Sequence, residues 1–431
     1  MTFSIYTLGC KVNLYESEFV ANLLKKNNYT EKKFSDFCDI YIINTCSVTN
    51  NADSKSMKMI RQAKKHNPSA CIVAMGCFIE KNKESLDKIN EWADIVIGNK
   101  DKSKIIELLD EYFEDKNKVT RIYDYLAKSS FEDMFIDNFE SRTRAFVKIQ
   151  DGCENFCSYC IIPFVRGKRR SKDFNKVIEE ITALVNNGYQ EIVLTGIHTG
   201  SYGVDINSSF ADLLKEIVKI EGLKRLRISS IEITELNDDV LSLLKGNNII
   251  VDHLHIPLQS GCDKILKLMN RKYDLAYFEE KLEEIRMIRK DIAITTDVIV
   301  GFPFESDDDF RITVDTVKRF AFAKIHVFPY SLREGTKAAT MDNQVDGKTK
   351  KERAKVLGEV SRKLELAYMN KFLNKNLLVL TEEYKDGYTY GHTSNYLHVR
   401  INKEIKPNTF VNVKLTEINY PYIEGEIDEL H

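Results

Sequence analysis

"KIQDGCENFCSYCIIPFVRGKRRS", Lys148 to Ser171, places Cys153, Cys157 and Cys160 within one short loop. A structural zinc site wants four ligands, and a disulfide framework wants an even number. Three thiols at C-x3-C-x2-C spacing suit a metal centre left one ligand short. An iron–sulfur cluster usually takes four thiolates, so a missing one frees an iron for another molecule. The stretch continues the apolar run "RAFVKIQ", which reads as a strand, so the cysteines fall at a strand's carboxyl end, the rim where barrel enzymes carry their chemistry. Zinc, or three core cysteines, is the competing reading. For zinc the nearest histidine, His198, would have to be brought in by folding.

Working outward, "EIVLTG", "LKRLRISS", "DHLHIPLQ", "AITTDVIVGF" and "AKIHVFPY" read as further strands, separated by helical stretches such as "FNKVIEEITALVNNG", "FADLLKEIVKIEG" and "AYFEEKLEEIRMIRK". Six strand–helix units are two short of a closed eight-fold barrel and predict a partial, open (β/α)6 barrel of TIM type. Upstream, the strands "FSIYTL", "CDIYIIN", "CIVAMG" and "ADIVIG" alternate with helical patterns, as in an open parallel α/β sheet. Downstream of a long charged helix, "NLLVLTEEY", "YTYGHTSNYLHVRI" and "FVNVKLTEINYPYIEGEID" alternate at period two, as in a small antiparallel β-barrel. The fold class is α/β, and the expected units are 1–115, a polar linker 116–143, a core 144–369 and a terminal barrel 370–431.

A chain of 431 residues with 43% hydrophobic and 30% charged residues suits two or three globular domains. No apolar run approaches the roughly 18 residues of a membrane helix, and "MTFSIYTLGCKVN" lacks the pattern of a signal peptide. The expectation is a cytoplasmic protein without a membrane partner, where nine cysteines serve as ligands or core residues rather than disulfides. The net charge of −2 excludes a polycation, so nucleic acid would have to be met by a local patch such as "RGKRRSK".

A second constellation lies upstream. Cys10, Cys46 and Cys77 each stand just past the carboxyl end of an expected strand, and in an open parallel sheet those ends converge on one crevice. Cys38 and Cys71 stand at strand starts and read as structural. Cys262 follows the fourth barrel strand and reads as core by default, with a cofactor-lining role as the alternative.

The C-x3-C-x2-C loop with Tyr159 before its last cysteine resembles the radical S-adenosylmethionine superfamily. "TLGCKVNLYES", "NTCSVTNNAD" and "MGCF", in that order ahead of the loop, resemble the methylthiotransferase family, and the likeness runs to a terminal TRAM domain at "GHTSNYLHVRI" and "IEGEI". The resemblance implies two 4Fe-4S clusters. The one on Cys153, Cys157 and Cys160 binds S-adenosylmethionine through its open iron and yields a 5′-deoxyadenosyl radical. The one on Cys10, Cys46 and Cys77 carries a sulfur that a second S-adenosylmethionine methylates. All six cysteines are then catalytic as well as metal-binding.

"EIVLTGIHTGSYG", "RLRISSIE", "HLHIPLQSGCDKIL" and "KIHVFPYSLREGT" look most like the branch acting on threonylcarbamoyladenosine 37 of tRNA. The alternatives are isopentenyladenosine tRNA, an aspartate of a ribosomal protein, or a noncatalytic iron–sulfur RNA-binding protein. The implied partners are tRNA, an electron donor such as a flavodoxin or ferredoxin, and a sulfur donor. Expected cofactor-binding residues are Tyr159, Thr195, Gly196, Ser230, Glu232 and Gln259. "IVGFP" continues with Phe304 where the family commonly has glycine, which questions the shape of that loop. Expected RNA contacts are Arg166, Lys168, Arg169 and Arg170 beside the cluster loop, with Tyr396 and Arg400 on the terminal barrel, where Tyr390, His392 and His398 also suit RNA. Whether Cys262, Tyr330 or neither touches the threonylcarbamoyl group is left open by the sequence.

Overall fold

Strands β1 (Thr2–Thr7), β2 (Thr30–Glu31), β3 (Ile40–Thr45), β4 (Cys71–Gly76), β5 (Ile95–Ile97) and β6 (Val119–Arg121) form one parallel sheet in the order β2-β1-β3-β4-β5-β6 in the computed structural model, which describes residues 1–123, 130–139 and 143–427. β3 and β4 are buried along their whole length, as continuous apolar strands covered by helices on both faces must be. The order reverses between β1 and β3, and a sheet of this kind opens its crevice at that switch point.

β6 lies inside the segment expected as linker, so that expectation is corrected. Val119 is buried and β6 pairs with β5, adding an edge strand to the sheet. Further along, Met134, Ile136 and Phe139 are buried with Phe146 and Tyr189, so this part is a packed strap. The linker's residues 124–129 and 140–142 lie outside the described residues.

The central strands are β7 (Arg144–Asp151), the two-residue β8 (Arg170–Ser171), β9 (Glu191–Gly196), β10 (Arg225–Ile228), β11 (His253–His255), β12 (Ala293–Val300) and β13 (Lys324–Pro329). β7, β9 and β10 are parallel neighbours, as are β11, β12 and β13, and parallel bridges Leu226 to Ile250 and Ser230 to His255 join the two groups into an arc of six. β8 pairs antiparallel with the end of β7. Five outer helices begin after Asp173, Ser209, Asn237, Asp274 and Ser306, each accepting a hydrogen bond from the backbone N–H three residues on. Such caps satisfy donors that a helix leaves open and place each boundary. Phe304, the departure from the family pattern, takes φ +67°, with its N–H donated to the Asn343 carbonyl. The loop thus keeps a backbone favourable to glycine while carrying a bulky residue, at a cost of about 1 to 2 kcal/mol.

The helix Gly347–Asn370 leads into a closed barrel of β14 (Asn376–Lys385), β15 (Tyr388–Thr393), β16 (His398–Ile401), β17 (Phe410–Asn419) and β18 (Tyr422–Ile427), ordered β14-β15-β16-β18-β17. Four of its pairs are antiparallel and β16 with β18 is parallel. Five strands cannot alternate direction all the way round a ring, so one parallel pair has to close it. The barrel is pinned to the core by Arg225, whose Nη1 and Nη2 donate to the carbonyls of His392 and Leu378 at 2.9 and 2.6 Å, and by Arg144 with Glu382 at 3.2 Å.

Candidate active site

Register brings the upstream cysteines together. Thr7 lies opposite Asn44 and Thr45 opposite Gly76, so the residues that follow β1, β3 and β4 emerge side by side. Gly9 and Gly76, which precede Cys10 and Cys77, have φ of +99° and +104°, and a Cβ at Gly9 would sit 2.9 Å from the Cys46 sulfur. Only glycine turns the chain there at no steric cost. Asn13 ties the crevice shut, donating to the carbonyls of Leu8 and Thr45 at 2.7 and 2.9 Å. Cys46 and Cys77 are buried and Cys10 is exposed.

The downstream loop is fastened equally well. Cys153 N–H donates to the Gly167 carbonyl, Cys160 N–H to the Cys157 carbonyl, and Ser158 N–H to the Met269 carbonyl. Folding does bring His198 to Cys153, where hydrogen bonds to Cys153 and Glu235 outweigh burial and raise the imidazole to about 10. Among the described residues no three His, Cys, Asp or Glu side chains close around one point as a single metal ion requires. A four-iron cluster is larger than one ion and holds its thiolates farther apart.

The donor sets fit anionic clusters. Arg166 Nε lies 3.3 Å from the Cys77 sulfur and Arg271 Nη1 3.3 Å from the Cys157 sulfur, so a guanidinium already faces each trio. Burial pushes Cys46 up to about 11 and Cys160 up to about 12, and raises Cys77 and Cys157 against the opposing pull of Arg166 and Arg271. Such thiols ionise when a metal supplies the compensating charge.

Behind Cys77 lies a buried ionic network. Glu16 meets Lys102, Lys148 and Arg166 at 2.7 to 3.0 Å, and Asp151 meets Lys148, Arg166 and Arg170 at 2.7 to 3.7 Å. Four cations against two carboxylates leave two positive charges in excess, which an anionic centre on the neighbouring thiolates would balance. The two trios are themselves neighbours, since Cys77 packs against Ile161 and Val165, just past Cys160.

The network corrects the basic-patch expectation. Arg166 and Arg170 are buried, and Arg170 also donates to the carbonyls of Arg166 and Lys168, so neither is free to meet phosphate. Lys168 is exposed, and the half-buried Arg169 pairs with Glu154 at 2.8 Å. Arg400 is held by Glu424 and lies over Tyr388, its guanidinium 4.3 Å from the ring centre.

A cavity of about 790 Å³ opens where the three parts of the chain meet. Cys10, Lys11, Thr195, Gly196, Arg227, Ser230, His253, His255, Asp297 and Tyr396 are on its wall. Of the expected cofactor positions, Thr195, Gly196 and Ser230 are therefore on one cavity with Cys10. Glu232 instead pairs with Arg271 beside Cys157. Gln259 bridges to β12 with φ +65°, and Tyr159 packs edge-on to Phe302 at 6.5 Å. Cys262 and Tyr330 are buried in one small apolar cluster with Phe302 and are not on the cavity wall. His253, Tyr396, His392 and His398 stack in a column at 4.8, 4.7 and 4.5 Å between ring centres, and all four rings line the cavity.

Sequence reasoning missed Lys11, Arg227, His253 and Arg271. A signal existed for two of them: Lys11 directly follows Cys10, and His253 and His255 alternate at strand period toward one face.

Comparison with known proteins agrees. Residues 2–98 match the Uncharacterized protein family UPF0004 and residues 147–317 the Radical SAM superfamily. The threonylcarbamoyladenosine tRNA methylthiotransferase MtaB of Bacillus subtilis is 41% identical, covering 99% of this chain and 96% of its own. A tRNA-2-methylthio-N(6)-dimethylallyladenosine synthase of Acetivibrio thermocellus is 33% identical, with 99% and 90% covered. Among solved structures, the radical S-adenosylmethionine methyltransferase TsrM from Kitasatospora setae shares the fold at TM-score 0.58 and 13% identity, over 78% of this chain and 77% of its own. The chain belongs to the radical S-adenosylmethionine methylthiotransferase family, whose chemistry runs on S-adenosylmethionine and a 4Fe-4S cluster.

Proposed function

We propose that the chain inserts a methylthio group at C2 of N6-threonylcarbamoyladenosine 37 in tRNA, using Cys153, Cys157 and Cys160 for one 4Fe-4S cluster and Cys10, Cys46 and Cys77 for a second. The observation that carries this reading is the meeting of two three-cysteine sets, each faced by a guanidinium, with Cys10 and the cofactor positions Thr195, Gly196 and Ser230 sharing one cavity. An electron carrier needs no such cavity. Clusters so held would supply an electron and open irons for S-adenosylmethionine and for sulfur. The chain's own part is to hold the thiolates, to balance their charge through Arg166 and Arg271, and to line the cavity that receives the base with aromatic rings. The specific substrate rests on the name borne by the 41% identical relative. A flavodoxin- or ferredoxin-type reductant, a sulfur donor and the domain division, with β6 and a packed strap in place of a free linker, belong to the same proposal.

The test is anaerobic reconstitution with iron and sulfide, then S-adenosylmethionine, reductant and tRNA bearing threonylcarbamoyladenosine, read by nucleoside mass spectrometry. A methylthio product with released 5′-deoxyadenosine supports the reading. Product only on isopentenyladenosine tRNA moves the chain to the other branch, and neither product supports a noncatalytic role. Cys153→Ala is expected to abolish cleavage of S-adenosylmethionine, and Cys46→Ala to spare cleavage while blocking sulfur insertion. Normal modification by both variants overturns the two-cluster assignment.

A further inference from the structure

Most polar groups on the cavity wall are already matched. Asp297 pairs with His255 at 3.2 Å and Glu365 with Lys324 at 2.9 Å, so the acids there have partners. Two cations do not. Lys11, exposed on the cavity wall directly beside Cys10, makes no side-chain ion pair or hydrogen bond among the described residues. Arg227 is 2% exposed, and its Nε donates to Glu191 at 2.8 Å while Nη1 reaches the Ser394 carbonyl at 3.4 Å. Its Nη2 is buried with no partner, and so is Nδ1 of His253, whose ring is also on the wall. The Arg227 guanidinium lies 4.6 Å from the centre of the Tyr396 ring, which stacks on His253. Lys11 is close enough to Arg227 and Arg144 to be repelled by both.

A buried donor without an acceptor costs about 1 to 3 kcal/mol, more when charged, so the unmatched Nη2 of Arg227, with the exposed ammonium of Lys11 on the same cavity wall, calls for an anion. A guanidinium edge and an ammonium together suit a carboxylate, or a phosphate, which offers the same pair of oxygens. The threonylcarbamoyl substituent ends in a carboxylate, whereas the dimethylallyl substituent is a hydrocarbon. We propose that Lys11 and the free edge of Arg227, with His253 beside them, form the subsite that receives the carboxylate of the threonylcarbamoyl group. This rests on the tRNA reading above and names the contacts that would select between the two kinds of substituted adenosine. The aromatic rings on the same wall would border the base while the subsite reads what hangs from its N6.

The experiment is binding, measured on the protein without substrate turnover. Three anticodon stem-loops are compared by fluorescence anisotropy: one with threonylcarbamoyladenosine, one with the methyl ester of that group, and one with plain adenosine. The native chain is expected to bind the free acid about tenfold or more tightly than the ester, the value of one charge-assisted hydrogen bond. Lys11→Met is expected to erase that preference and to leave the affinity for plain adenosine in place. Arg227→Lys, which keeps charge but loses the fork, is expected to reduce the preference. If Lys11→Met weakens all three stem-loops alike and lowers the salt dependence, the anion is a backbone phosphate and the proposal is overturned. If the native chain methylthiolates threonylcarbamoyladenosine tRNA yet binds acid and ester equally, the subsite fails while the function stands. If no methylthio product forms on that tRNA, the function reading itself fails.

Discussion

Arg166 brings no charge to the surface, because its guanidinium meets Glu16, Asp151, Asn13 and the Cys77 sulfur together. Arg166→Met leaves two buried carboxylates short of a partner, and breaking such a network is expected to cost about 3 to 5 kcal/mol, read by urea denaturation. Arg170→Ala should also destabilise, since Arg170 is buried against Asp151 and two carbonyls. Lys168→Ala and Arg169→Ala should behave differently. Each is expected to leave stability within about 0.5 kcal/mol and to lower the slope of log affinity for tRNA against log salt by about one. An unchanged slope makes Lys168 and Arg169 a solvated face without a phosphate contact. Four basic letters within five positions look alike in a sequence. Which of them point inward is decided by Glu16 and Asp151 for Arg166 and by Asp151 for Arg170, contacts that the basic run does not contain.

At the scale of the element, the capping residues show how much of the barrel is written locally. The helix Asp307–Phe320 carries a full capping box, with Ser306 accepting from Asp309 N–H and the Asp309 carboxylate accepting from Ser306 N–H at 2.9 Å. Burial raises the Asp309 carboxyl, but the hydrogen bonds from Lys264 and Ser306 prevail and hold it near 2. A carboxyl depressed on folding stabilises fully above its unfolded range, and that stability is lost as pH falls toward the folded value. Asp309→Asn is therefore expected to cost about 1 to 2 kcal/mol at pH 7, shrinking between about pH 4 and pH 2. Urea midpoints of the two chains across that window check it. Equal differences at pH 7 and pH 2.5 would mean that the carboxylate charge contributes nothing. The main strands and helical stretches were legible because their periodicity lies among neighbours in sequence. The edge strand β6 was not, since three residues, Val119 to Arg121, form a strand only by pairing with β5.

Across the whole molecule, Arg333 joins the two cysteine-bearing parts. It is 1% exposed, pairs with Asp53 at 2.8 Å, and donates to Ser47 and Asn50 in the loop that follows Cys46. Arg333→Ala should release that loop. Hydrogen–deuterium exchange is expected to speed up over residues 47–53 while the helix Phe174–Asn186 keeps its protection. Faster exchange everywhere would make Arg333 a residue of global stability and not a docking contact. The sequence alone determined the three architectures and the family, because each is carried by local periodicity or by short spacing around a strand end, and it proposed the two three-cysteine sets on the same ground. Only the tertiary structure decided that the two sets are neighbours, that Arg166 belongs to the interior, that five strands close through one parallel pair, and that Lys11, Arg227 and the stacked rings share a cavity. Those are meetings of residues far apart in the chain, set by register, burial and charge balance once the parts pack, and no stretch of sequence contains both sides of such a contact.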